Sequence, residues 1–60
     1  MEKFEQIKAL IEGTQGDAEK FYSKGNDSAG SRIRKAMQEL KKLAQEVRLE
    51  VQEFKKQKSN

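Results

Sequence analysis

The 60-residue chain has no cysteine, no histidine, no proline and no tryptophan. Without Cys or His there is no disulfide framework, no thiol nucleophile, no imidazole base and no side-chain set suited to a transition metal. Long apolar runs are missing too: the longest is Ala9-Leu10-Ile11. That predicts neither a signal peptide nor a membrane span, and a cytoplasmic protein. Aromatic residues are 7% of the chain and hydrophobic residues 33%, so a large core is also out of reach. A domain this short buries only about 60% of its unfolded surface and is marginal unless it associates.

Charge is what the sequence has in quantity: 13 basic and 10 acidic residues, net +3. Its placement is uneven. Residues 1–19 carry two lysines against five acids, whereas residues 20–42 carry seven basic residues against Asp27 and Glu39. A local cationic excess of that size attracts polyanions.

Phe4, Ile7, Ile11, Thr14, Ala18 and Phe21 recur at spacings of three and four, which predicts a first helix over about 2–24. Gly13 and Gly16 each cost roughly 1 kcal/mol there. The period does not slip across them, which favours one continuous helix over a break after Glu12. Lys24-Gly25-Asn26-Asp27-Ser28 reads as a turn, with Gly25 closing the first helix and Asn26, Asp27 or Ser28 capping the next. Ile33, Met37, Leu40, Ala44, Val47, Val51 and Phe54 then keep a heptad rhythm, widened by Ala36 and Leu43. This predicts a second helix over about 28–57 and a frayed tail at 58–60.

So short a turn, over 25–27, makes the helices antiparallel. The expected fold is all-α: a single coiled-coil-like helical hairpin spanning 1–60. Positions whose numbers sum to about 53 should lie side by side, which leaves Phe54 beyond the end of the first helix. An apolar stripe about 120° wide on the second helix exceeds what one partner helix covers. Two hairpins forming a four-helix bundle are therefore expected, with a monomer exposing Phe54 as the alternative.

On the second helix Glu39, Glu46, Glu50 and Glu53 occupy one flank. Arg34, Lys35, Lys41, Lys42, Arg48, Lys55 and Lys56 occupy the other. Two uses of the cations stand open. In one, Glu5, Glu12 and Glu19 pair within the hairpin with Arg48, Lys41 and Arg34, provided the first helix centres its seam on Phe4, Ile11 and Ala18. In the other, cations meet an external anion, and Lys35, Lys42 and Lys56, with Lys20, Lys24 and Arg32 near the turn, have no evident partner in the chain. Ser28, Gly30 and Ser31 at the start of the second helix add free amides and hydroxyls suited to phosphate. Leu49 stands alone on the polar back of that helix.

The order Lys24-Gly25-Asn26, Ser28-Ala29-Gly30-Ser31-Arg32-Ile33-Arg34-Lys35-Ala36, Leu43-Ala44-Gln45-Glu46-Val47-Arg48 and then Leu49-Glu50 resembles the bacterial histone-like proteins named for linker histone, known from chlamydiae and Bacteroidetes-type bacteria. The resemblance covers nearly the whole chain. It implies a nucleoid-associated, cofactor-free protein that binds DNA without strong sequence preference, as a short member lacking the long Lys/Ala-rich tail of the chlamydial proteins. By position it makes Lys24, Arg32, Arg34, Lys35 and Arg48 DNA contacts. Lys20, Ser31 and Lys42 join them from the charge placement. The competing reading is a helical scaffold module whose partner is another protein, motivated by the wide apolar stripe, Phe54 and Leu49. An enzyme is not expected, because Glu39, Glu46 and Glu53 lie on a solvated face with no pocket to shift their acidity.

Overall fold

The computed structural model describes residues 1–58, which form two antiparallel α-helices, α1 (Glu2–Lys24) and α2 (Asp27–Lys58). The hairpin is a rod of 54 × 15 × 13 Å. Its radius of gyration is 15.3 Å, against roughly 10 Å for a compact globule of this length.

α1 runs unbroken through Gly13 and Gly16, and a β-carbon at either would meet nothing within 4 Å. Neither glycine is there to admit a neighbour. Thr14 satisfies its own hydroxyl by donating to the Leu10 carbonyl at 2.6 Å. Gly25 ends the helix in the left-handed region (φ 66°, ψ 31°), which only glycine enters cheaply. The Gly25 N–H donates to the Phe21 carbonyl at 2.9 Å and the Asn26 N–H to that of Lys20 at 3.4 Å. Asn26 then caps α2, its side-chain oxygen accepting from the Ala29 N–H at 3.0 Å. With the cap at Asn26, the helix starts at Asp27, one residue before the expected Ser28. It continues to Lys58, so Gln57 and Lys58 are helical; Ser59 and Asn60 of the expected frayed tail lie outside the described residues.

The seam between the helices is not centred where the periodicity placed it. On α1 the half-buried residues are Lys3, Ile7, Leu10, Thr14, Asp17 and Ala18, while Phe4 and Ile11 are 60% and 47% exposed. On α2 they include Ile33, Ala36, Leu40, Leu43 and Val47, and Met37, Ala44 and Val51 turn outward. Each broad apolar stripe is thus divided lengthwise: one half meets the other helix and the other half meets solvent. Among the described residues only Ala29 is fully buried. Beside it, the Phe21 ring lies across Gly30, where a β-carbon would stand 2.8 Å from Cδ1 and Cε1. That close approach at the turn draws the first residues of α2 against α1.

This rotation also overturns the expected intrachain ion pairs. Glu5, Glu12 and Glu19 do not reach Arg48, Lys41 and Arg34. The ion pairs among the described residues are instead Lys3 with Glu46 (3.8 Å) and Glu50 (3.7 Å), and Asp17 with Arg32 (2.8 Å). With Leu10 rather than Ile11 in the seam, the Glu5–Glu12–Glu19 row points away from α2. The cross-helix contacts join positions whose numbers add to 49–53, close to the expected register.

Candidate nucleic-acid interface

Among the described residues, one cation of the turn half is committed to an ion pair and several form none. Arg32 is the committed one, which corrects the expectation that it has no partner in the chain. Its Nε and Nη2 both donate to one carboxylate oxygen of Asp17, at 3.0 and 2.8 Å. The pair ties the turn-proximal part of α2 to α1. The hydrogen bond from Arg32 holds the Asp17 carboxyl below its ordinary range; desolvation opposes it, and the charges of Arg32 and Lys20 reinforce it. The same contact raises the Arg32 guanidinium further above its already high value.

Arg34, Lys35, Lys41 and Lys42 are exposed on the side of α2 that faces away from α1. They form no ion pair within the described residues. Shallow grooves run between them. Ser31, Arg34, Lys35 and Gln38 line one, and Gln38, Lys41, Lys42 and Gln45 line the next along the helix. The two share Gln38, so cations and neutral hydrogen-bonding groups follow one another along an open, shallow trough on the back of α2 over about four turns. Glu39 is the acid that borders it, beside Lys35 and Lys42. Spaced cations over shallow relief suit a phosphate backbone, which offers charge along a line and no group to enclose.

The remaining expected site residues are dispersed. Lys20 and Lys24 project from the last turns of α1, both exposed. Arg48 is exposed nearly two turns beyond Lys42. Ser31 reaches the trough, but the start of α2 is not an open phosphate site: Asn26 already holds the Ala29 amide, and Asp27 places a carboxylate in the first turn. An anion there meets a like charge. Lys41, for which pairing inside the hairpin and contact with an external anion both stood open, lines the trough and forms no ion pair within the described residues. Its signal was visible in the seven-residue spacing Arg34–Lys41–Arg48.

Tyr22 is 79% exposed, edge-on to Phe21 with ring centroids 5.1 Å apart. It borders a cleft shared with Ile33 and Arg34. No helix among the described residues is long and apolar enough to cross a membrane.

Comparison with known proteins gives one result. The family model described as histone H1-like protein Hc1 matches residues 1–57. No curated protein and no solved structure matches.

Proposed function

The chain belongs to the histone H1-like Hc1 family, and on that premise we propose that it acts at the nucleoid, holding DNA by phosphate contacts regardless of sequence. A DNA-binding role is what this family implies, and it is not an enzyme class. The observation that carries the finer reading is the trough on the back of α2. There Arg34, Lys35, Lys41 and Lys42, which form no ion pair within the described residues, stand around Ser31, Gln38 and Gln45.

The physical case is electrostatic. Each phosphate neutralised by Lys or Arg releases condensed counterions, which drives association and makes it steeply salt-dependent. Lysine and arginine contacts to phosphate fix position along a duplex and carry no sequence information of their own, which supports binding regardless of sequence. Lys20 and Lys24 extend the positive field around the turn, while Arg32 shapes the hairpin through Asp17 and adds its exposed charge.

The test is fluorescence anisotropy on two duplexes of unrelated sequence at about 50 mM salt, where phosphate-driven binding is strong. Equal affinity for both is expected, with at least a tenfold loss in K35E/K42E. Unchanged binding by that variant overturns the trough as the contact surface. A helical scaffold without DNA contact is the reading that replaces it if neither duplex is retained.

A further inference from the structure

At the turn end the cationic trough runs into a concavity of a different kind. Ser31 and Arg34 line the trough, and the same two residues line a cleft of about 380 Å³ between α2 and the end of α1. Its other walls include Phe21, Tyr22, Asp27 and Ile33. That volume falls within the range of about 300–1,000 Å³ typical of sites for small organic groups. Trough and cleft form one surface with two chemistries.

The cleft is mainly aromatic and apolar. Phe21 and Tyr22 meet at 79° with centroids 5.1 Å apart, so one ring stands as a wall to the other. Phe21 is held over Gly30, whereas Tyr22 is 79% exposed and gives little of its surface to the fold. A free ring beside a fixed one, with the Ile33 side chain next to them, is a platform on which a flat heteroaromatic group stacks. Asp27 sets what else the cleft admits. Its carboxylate repels a phosphate, and it accepts from the N–H groups that the edges of nucleobases carry. Arg34 belongs to both regions and forms no ion pair within the described residues.

We propose that the cleft takes one unpaired base of a single DNA strand, stacked on Tyr22, while Arg34 holds the adjoining phosphate and the strand continues over Lys35 and Lys42. This rests on the DNA reading above and extends it to a second form of the polymer. In a duplex each base is already stacked on its neighbours and paired, and taking it out costs a few kcal/mol, a cost that is least for single-stranded substrate. The duplex therefore uses the trough alone, and a single strand uses trough and cleft together. Arg34 to Lys42 covers about 12 Å of helix, which a strand of a few nucleotides spans. The free amides at the start of α2 take no part, since Asn26 already holds that of Ala29.

The test is fluorescence anisotropy of the full chain with three probes at about 50 mM salt. They are a mixed-sequence single strand of about 12 nucleotides, the same strand with abasic sites in place of its bases, and the duplex. Tyr22→Ala should weaken the base-bearing strand at least fivefold and leave the abasic strand and the duplex within twofold of the native chain. Tyr22→Phe keeps the ring and should bind the single strand as the native chain does. Circular dichroism should show both variants as helical as the parent, because Tyr22 is exposed. K35E/K42E should weaken all three probes. If it does so while Tyr22→Ala holds the base-bearing strand as tightly as the native chain, the cleft proposal is overturned and the trough stands. An equal loss on the abasic strand also overturns it, because the ring then acts without a base. Failure of the native chain to bind any of the three overturns the DNA reading itself, and this proposal with it.

Discussion

The ring of Phe21 lies so close over Gly30 that a β-carbon at position 30 would stand 2.8 Å from it. Gly30 weakens the first turns of α2 by roughly 1 kcal/mol relative to alanine, yet it admits the ring that locks the turn. Gly30→Ala is therefore expected to change sign with its surroundings. In the native chain the forced ring movement costs about 1–3 kcal/mol and outweighs the gain in helix propensity. In a Phe21→Ala background the same substitution should stabilise by about 1 kcal/mol. Urea unfolding followed by circular dichroism at a fixed chain concentration measures all four corners.

Gly13 and Gly16 differ in kind. With open space where their β-carbons would stand, Gly13→Ala and Gly16→Ala should each stabilise by up to about 1 kcal/mol. Both sit away from the trough, so DNA affinity should stay within twofold in the anisotropy assay.

How far these features were legible in the sequence differs from residue to residue. Gly25 and Asn26 announced the turn, because one residue type enters the left-handed region freely and the other caps, and the apolar rhythm marked both helices. The seam was not legible. Leu10 and Ile11, Ala36 and Met37, Leu43 and Ala44 are adjacent apolar pairs, and periodicity alone does not choose which member faces inward. Phe21 on Gly30, Asp17 with Arg32 and Lys3 with Glu46 and Glu50 make that choice. They are contacts between distant positions that carry no spacing signal. The glutamate row is legible as a seven-residue repeat, but its pairing within the hairpin depended on a seam centred on Phe4, Ile11 and Ala18, and a seam turned by one residue points it outward. The cationic trough was legible as charge placement, but Arg32 was grouped with it because its partner, Asp17, lies fifteen residues away.

The Asp17–Arg32 pair sets an acid limit. The Asp17 carboxyl is depressed in the folded hairpin, so the unfolded chain binds its proton first. Its stabilising contribution is complete above the unfolded value of about 4 and is lost as pH falls through the lower folded one. The stability difference between the native chain and Asp17→Asn should therefore be largest near neutrality and shrink below about pH 4. A difference constant across that range would show that the pair does not contribute through its charge. Thermal melts from pH 2 to 7 follow it.

The most direct test of the DNA reading is the slope of log affinity against log salt for the native chain and for K35A/K42A on one duplex. Counterion release contributes about −0.9 to that slope per phosphate contact. Loss of two lysine contacts should make the line shallower by about 2. Coincident lines for the two proteins, at equal affinity, would contradict binding through the back of α2.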